Sequence, residues 1–370
     1  MATDIFIVQR YYYNFREGFF EYLSDKKVNF KLVNSLSPRG KVKVHDGAGK
    51  LDFIVKTPVI HIGKSYVIFP FLFFSLIKSK PRVIISEGGQ NTVNNLQILL
   101  YSLLFNRRYI IWDLGKGYAD FGKSLSRSIY MFFYRLLLRK AYLVYGYHSQ
   151  SLEYFKSLGI SERKIIVLNN TIDTRKIKAV RSQAMTDPPR ELGPGTNGKY
   201  TYLIFVGSLV DNKNIESLAA LMRKLGEKYY LLIVGDGKPG YRKKLEEEFS
   251  DVNHIFLGYK KSDTLAPYYS IASFSVLPGL GGLSINQSMA YGVPVICRSA
   301  DGAEKDLVKN NETGYIYSDI DDAAEFIKSK KAADWERMGE KAEQLLYSGH
   351  SVESMMDKFI SHALGKKQTK

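Results

Sequence analysis

LPGLGGLSINQSMAYGVPV, residues 277–295, carries the most information in this 370-residue chain. A β-rich segment, Phe274 to Leu277, stops at Pro278, and three glycines follow at Gly279, Gly281 and Gly282. A helix-compatible segment then runs from Ser284 to Tyr291. Strand, glycine loop and helix start make an anion-binding layout. Glycine lets the backbone approach a ligand closely, and the first amides of a helix are unpaired and sit at the positive end of its dipole. The same pattern also describes a tight βα connection that binds nothing, so the rest of the chain must decide.

Length leaves room for two domains, each able to bury its own core. With 45% hydrophobic and 24% charged residues the composition is globular, neither disordered nor fibrous. The single cysteine, Cys297, excludes an internal disulfide and fits a reducing compartment. The formal net charge of +16 is unevenly spread. Residues 1–190 hold 30 Lys and Arg against 13 Asp and Glu, whereas residues 191–370 hold 23 against 24. A basic first half suits an anionic surface or a polyanionic substrate. Met1 to Phe20 lacks the uninterrupted apolar core of a secretory signal. The longest apolar run, Tyr66 to Ile77, is broken by Pro70 and is shorter than the ~20 residues a spanning helix needs.

In chain order, DIFIV at Asp4 to Val8 reads as a buried strand and Glu17 to Ser24 as a helix. Arg10, Tyr11, Tyr12, Tyr13, Asn14 and Arg16 then occupy the loop at the strand's carboxyl end, where open α/β sheets bind ligands. Strands over Lys31 to Val33 and Leu51 to Val55, a helix over Tyr66 to Ser79 and a strand over Arg82 to Ser86 continue the alternation expected of a parallel sheet. A polar turn with Glu87, Gly88 and Gly89 precedes a helix over Thr92 to Phe105. Strand Tyr109 to Trp112 ends at Asp113, followed by a flexible loop containing Lys116. Asp113 is the ionisable candidate of this half, or else a turn residue or helix cap. Ser124 to Lys140 places Ile129, Phe132, Phe133, Leu136 and Leu137 on one side of a helix with Arg127, Arg135, Arg139 and Lys140 around it. That is either a basic amphipathic helix for a lipid interface or an ordinary core helix. His148 stands at a further strand end, either structural or acceptor-facing. Lys176 to Lys199, with Asp187-Pro188-Pro189 and Gly193-Pro194-Gly195, reads as an interdomain linker.

The second half restarts the alternation. Strand Tyr202 to Val206 leads to Gly207, Ser208 and Leu209, with Lys213 before a helix; a lysine beside a glycine turn can neutralise a diphosphate. Strand Tyr230 to Val234 ends at Gly235, Asp236 and Gly237, and strand Ile255 to Leu257 at Gly258. Three helices, over Asp322 to Lys328, Ala333 to Tyr347 and Val352 to Leu364, close the chain.

The ordered segments Phe205 to Leu209 with Lys213, Leu232 to Gly237, His254 to Gly258, Tyr268 to Ala272, the stretch ending Met289 to Val295, and Glu312 to Gly314 resemble glycosyltransferase family 4. A weaker likeness runs through Lys164 to Asn170 with Asp173. The chain looks like a divergent member. The resemblance implies an α/β chain of GT-B architecture, two Rossmann-like domains facing across a cleft. It implies an acceptor domain over 1–184, with helix 350–370 packing back on it, and a nucleotide-sugar domain over 185–349. Departures from the family pattern are specific. Its two glutamates eight positions apart fall at Gly279 and Gln287, its phosphate-binding arginine at Ser208, and its first-domain histidine beside Trp112 and Asp113.

The resulting expectation is a retaining glycosyltransferase that moves a sugar from a nucleotide-diphosphate sugar to a growing, lipid-linked surface glycan. Lys213, Asp113 and Gln287 are the candidate catalytic residues. The donor contacts expected are Gly207, Ser208, Lys213, Gly235, Asp236, Gly258, Gly279, Gly281, Gly282, Leu283, Ser284 and Gln287. For the acceptor they are Arg10, Tyr12, Asn14, Glu87, Gly88, Gly89, Lys116 and His148. No metal or other cofactor is expected, since no Asp-x-Asp pair stands in a loop. Nor is a nucleic-acid partner, because no recognition motif accompanies the charge. The expected location is cytoplasmic, peripheral on the inner face of the cell membrane. The alternative is a GT-B-fold partner subunit that binds but does not transfer.

Overall fold

The computed structural model describes residues 3–35, 51–63, 66–115, 125–183, 189, 191, 199–300 and 302–365. The chain forms two compact units, Met1–Asn170 with Val352–Lys370, and Thr171–Ser351.

In the first unit the strands are β1 (Ile5–Tyr11), β2 (Phe30–Ser35), β3 (Ile60–Ile62), β4 (Tyr66–Ile68), β5 (Val83–Glu87), β6 (Arg108–Asp113), β7 (Leu143–Gly146) and β8 (Ile165–Val167). Between them run α1 (Glu17–Asp25), α2 (Leu72–Ser79), α3 (Thr92–Leu104), α4 (Leu125–Lys140) and α5 (Ser149–Ser157). Six strands make a parallel sheet in the order β2-β1-β5-β6-β7-β8, while β3 and β4 form a separate antiparallel pair. The period of two along each strand divides the core between the faces. Ile5, Ile7, Val83 and Ile85 point into one cluster with Phe19, Phe20 and Leu23 of α1. Phe6, Val8, Ile84 and Ile111 point into the other, under α2, α3 and α4. Burial on both faces is why β1 reads as an unbroken apolar run.

The second unit contains α6 (Thr174–Gln183), β9 (Thr201–Val206), α7 (Ser217–Leu225), β10 (Tyr229–Val234), α8 (Pro239–Glu248), β11 (His254–Gly258), α9 (Ala266–Ile271) and β12 (Ala272–Leu277). It continues with α10 (Leu283–Ala290), β13 (Val295–Arg298), α11 (Ala303–Leu307), β14 (Gly314–Tyr317), α12 (Ile320–Lys328) and α13 (Ala332–Gly349). Its parallel sheet has the order β11-β10-β9-β12-β13-β14, the doubly wound Rossmann order. Pro239 stands at the first helical position of α8, where its missing N–H costs nothing. Helix α14 (Val352–Leu364) then returns to the first unit. Met355, Met356 and Phe359 are fully buried beside Phe19, at about 1.5–3 kcal/mol per side chain. Tyr145 donates to the Phe359 carbonyl at 2.9 Å.

Several local expectations fail for identifiable reasons. β1 runs on through Arg10 and Tyr11, because its pairing with β2 extends to Tyr11↔Ser35. Leu51 to Val55 makes only an isolated bridge to Leu32 instead of a strand. The apolar run from Tyr66 is strand β4 and then helix α2, divided near Pro70, since the residue before a proline is turned away from helical geometry. Of the linker expected over Lys176 to Lys199, residues 176–183 belong to helix Thr174–Gln183 of the second unit, where Ile177, 4% exposed, and Val180 face that unit's core, while most of the remainder lies outside the described residues. In α4 the single apolar side is divided. Leu137 is buried in the core, whereas Ile129 and Phe132 are exposed. Ser124, where that helix is expected to begin, lies outside the described residues.

Candidate functional site

Open parallel sheets bind ligands beyond the carboxyl ends of their strands, at the point where strand order reverses. In the second unit that point lies between β9 and β12. The two loops there touch. The Leu280 amide donates to the Asn212 carbonyl at 3.3 Å, and the Lys213 ammonium donates to the Leu280 carbonyl. A β-carbon at Gly279 would fall 2.6 Å from the Asn212 carbonyl oxygen and 2.7 Å from the carbonyl carbon of Lys213. This glycine is therefore dictated by the approach of two backbones, and the acidic side chain expected from the resemblance has no room at that position. Gly282, with φ of +56°, turns the chain into α10. The amides of Gly281, Gly282 and Leu283 have no acceptor among the described residues. Ser284, partly buried, follows in the first turn of α10.

A second set of glycines links the neighbouring strand ends. The Gly207 amide donates to Val234 O at 3.0 Å and the Gly235 amide to Gly258 O at 2.8 Å. Gly235, at φ +149°, has no space for a β-carbon, which would lie 1.8 Å from Gly207 O. Lys213 passes beside Gly207, its Cε 3.9 Å from a β-carbon placed there. Glycines at 207, 235 and 258 thus link the ends of β9, β10 and β11, while Gly207 and Gly279 lie beside Lys213.

Other candidates of this unit are placed differently. Ser208 and Asp236 are exposed, and Asp236 accepts from its neighbour Gly237 at 2.8 Å. Gln287 is 9% exposed, and its amide donates to the Ser262 hydroxyl at 3.3 Å, which anchors α10 to the segment before α9. One residue that the sequence reading missed is Glu304, at the carboxyl end of β13. It is 1% exposed and accepts from the Ala300 amide at 2.7 Å and the Gly302 amide at 2.9 Å. Its sequence signal is an acidic residue in the first turn of a helix after a glycine. A cavity of about 320 Å³ lies at the opposite, amino-terminal end of β12, lined by Arg181, Tyr269, Tyr291 and Trp335, and contains none of these loops.

In the first unit the reversal lies between β1 and β5. Arg10 is tied there to Glu87, with its amide at 3.0 Å and its Nε at 3.1 Å from the same carboxylate oxygen, and its Nη1 donates to Gln90. Asn95 donates to Glu87 O at 2.9 Å, and Asn94 to Val67 O at 2.7 Å. Asn95 thus ties α3 to the end of β5 ahead of the Gly88–Gly89 turn, and Asn94 ties it to β4. Gly88 packs on Asp113, whose carboxylate would lie 1.9 Å from a β-carbon at that position. Asp113 is the last residue of β6, 4% exposed, and accepts from the Gly115 amide at 3.0 Å and the Tyr134 hydroxyl at 3.1 Å. Burial pushes its carboxyl above the ordinary value, against those two hydrogen bonds. His148 caps α5, its Nδ1 3.4 Å from the Ser151 hydroxyl, which itself donates to Leu114 O at 2.6 Å.

Tyr12 is a correction. It is 1% exposed and stacked on Phe20 at 5.1 Å in the core, because β1 extends through Tyr11 and turns the next side chain inward. Asn14 is exposed in a short 3-10 turn. Lys116 lies outside the described residues. Arg16 emerges instead. It is 3% exposed, its guanidinium 3.8 Å above Trp112 and donating to the Tyr147 hydroxyl at 3.1 Å. Its Nε and Nη1, and the Trp112 indole N–H, have no hydrogen-bond partner among the described residues. Among the described residues no three His, Cys, Asp or Glu side chains are grouped to hold a metal.

Residues 193–350 match the family model for glycosyl transferases group 1. An uncharacterised glycosyltransferase of Methanocaldococcus jannaschii is 30% identical over 141 residues, which is 36% of this chain and 36% of that protein. The chain therefore matches about a third of the length of that curated relative. Among solved structures, Anabaena HepE in complex with UDP superposes with a TM-score of 0.76 at 13% identity, covering 97% of this chain and 99% of that one. A glycosyltransferase from Rickettsia africae superposes at 0.75 with 14% identity, over 99% and 100%. The lipopolysaccharide outer core galactosyltransferase WaaB superposes at 0.68 with 14% identity, over 99% and 100%. Two Rossmann-like units joined in this order are the GT-B fold, and the second of them carries the group 1 match.

Proposed function

We propose that the protein is a glycosyltransferase that uses a nucleotide-diphosphate sugar. What carries the reading is the switch point of the second unit, where Lys213, the Gly207 turn and the unpaired amides of Gly281 to Leu283 converge within the group 1 match. Those amides and the lysine are donors only, which suits a diphosphate. The solved neighbour HepE is described as holding UDP, which supports a uridine diphosphate donor as the first to try.

In the proposed reaction the bond between the anomeric carbon and the diphosphate oxygen breaks while an acceptor hydroxyl attacks on the same face. Its proton passes to the departing phosphate, and configuration is retained. Lys213 and the loop amides balance the charge that grows on the leaving diphosphate. The first unit, with Arg10, Glu87, Asp113 and His148 at its strand ends, holds the acceptor. We assign the acceptor to a lipid-linked glycan, and the protein to a peripheral position on an anionic membrane, on the strength of the basic first half.

The test is thermal-shift titration with uridine, guanosine and deoxythymidine diphosphate sugars, followed by transfer assays with the stabilising donor. A matching donor present at 100 times its Kd stabilises by about 2.7 kcal/mol. Lys213→Met should remove most of that shift. Absence of stabilisation by every nucleotide sugar overturns the reading.

A further inference from the structure

We infer that the outer face of α2, α3 and α4 is a docking surface for an anionic phospholipid bilayer. The three helices are neighbours, with α2 packed on α3 and α3 on α4, and all three cover the same side of the first sheet. Each satisfies that core with a buried stripe: Leu72 and Leu76 on α2, Ile98 on α3, Leu138 on α4. Each also carries a second apolar stripe pointing away from it. Phe74 is 64% exposed, Leu100 53%, Leu103 66%, Leu104 63%, Ile129 51% and Phe132 65%. Leu100, Leu103 and Leu104 stand at i, i+3 and i+4, and Ile129 and Phe132 at i and i+3, so each set shares one side of its helix.

This is a concentration rather than a scatter. Sixteen large apolar side chains are exposed among the described residues; ten lie on these helices or their first flanking residues, and only Tyr259 lies in the second unit. Single exposed apolar residues need no explanation, but a contiguous patch marks a surface that is covered in use.

Charge identifies the cover. Helices α2, α3 and α4 contain no aspartate or glutamate, and α3 has no charged residue at all. Around them Lys78, Lys80, Arg107, Arg135, Arg139 and Lys140 are exposed. Apolar side chains ringed by cations, without an acidic group among them, fit the acyl boundary and headgroups of an anionic leaflet. A protein partner or a second copy would leave these cations facing each other or needing acidic mates, and a second copy offers none on this face. No described helix is long and apolar enough to cross a membrane, so docking is on the surface. The inference deepens the membrane-peripheral part of the proposed function and stands apart from the transfer reaction.

The test is co-sedimentation of the full chain with vesicles of phosphatidylcholine alone and of phosphatidylcholine mixed with phosphatidylglycerol. Preferential binding to the mixed vesicles, weakened by salt, is expected. The doubly substituted Leu103→Glu, Phe132→Glu protein should lose at least about tenfold in partitioning. The Arg135→Gln, Lys140→Gln protein should lose about 25-fold on the anionic vesicles alone, at about fivefold per cation. All these side chains are exposed, so unfolding temperature and the nucleotide-sugar shift should remain as in the wild type. That control separates the two ideas: vesicle binding can fail while donor binding persists, and the reverse. Equal binding by wild type and the glutamate variant overturns the inference. So does a wild-type dimer that the glutamate variant converts to monomer without any vesicle binding, which would make the face a self-association surface.

Discussion

Gly279→Ala is the sharpest test of how the candidate donor site is built. The added methyl would sit 2.6 Å from the Asn212 carbonyl oxygen and 2.7 Å from both the carbonyl carbon and oxygen of Lys213. An ordinary carbon–oxygen contact is about 3.3–3.6 Å, so the two loops must part by roughly 0.7 Å. Backbone on both sides leaves no flexible side chain to yield. Overpacking of this kind costs about 1–3 kcal/mol. For a domain of this size about 2 kcal/mol corresponds to a fall in Tm of roughly 4–8 °C. The same separation pulls Leu280 away from Lys213, and with it the amides of Gly281 and Gly282 that follow in the loop. A loss of about 1.4 kcal/mol there raises the Kd for a nucleoside diphosphate about tenfold. Scanning fluorimetry and isothermal titration calorimetry read the two effects separately. Gly279→Glu, which would restore the acidic residue of the family pattern, should do worse than alanine, because it carries the same β-carbon and a longer chain beyond it. Unchanged Tm and affinity in Gly279→Ala would refute the claim that the approach of these two loops builds the site.

Gly235→Ala should be more damaging, since its β-carbon meets Gly207 O at 1.8 Å and its φ of +149° suits only glycine; soluble, cooperatively unfolding protein within ~1 kcal/mol of wild type would contradict this. Asp113→Asn tests the buried carboxyl. Burial raises its pKa in the folded state, so the native protein holds the proton more tightly than the unfolded chain, and stability falls as pH rises from about 3.8 through the native value. Urea unfolding across that range should show the slope in wild type and its loss in the asparagine variant; identical profiles would exclude a raised Asp113. Arg16→Met replaces a buried cation two of whose nitrogens, Nε and Nη1, have no partner among the described residues. Stability should hold or rise, as it often does when buried charge gives way to apolar volume, while transfer falls if the guanidinium serves the acceptor. A loss beyond ~1 kcal/mol in chemical denaturation would instead make the stacking on Trp112 structural.

Much of the fold was legible in the sequence because parallel sheets buried on both faces write themselves as short apolar runs. IFIV, VIIS, YIIW, YLIF and LLIV all became strands, although β1 and β5 run further than expected, through Tyr11 and Glu87. The glycines at 207, 235, 279 and 282 were also legible as special positions, because backbone approach and positive φ demand that residue type wherever they occur. Which backbone each glycine admits was not. That Gly235 lies against Gly207 and Gly279 against Lys213 depends on strand order, and a chain read in one dimension does not contain it. The same limit explains Tyr12 and Gln287. Their residue types suit a ligand, and only the way β1 extends and α10 seats on Ser262 turned them into packed groups. Arg16 was legible as a loop cation but not as a buried one, since its enclosure is made by Trp112 of β6 and by Tyr147 just beyond β7, both distant in sequence. Apolar periodicity identified α2, α3 and α4 as helices. It could not say that each has two apolar sides, one for the core and one left outside, because burial is decided by what a helix packs against and not by its own pattern.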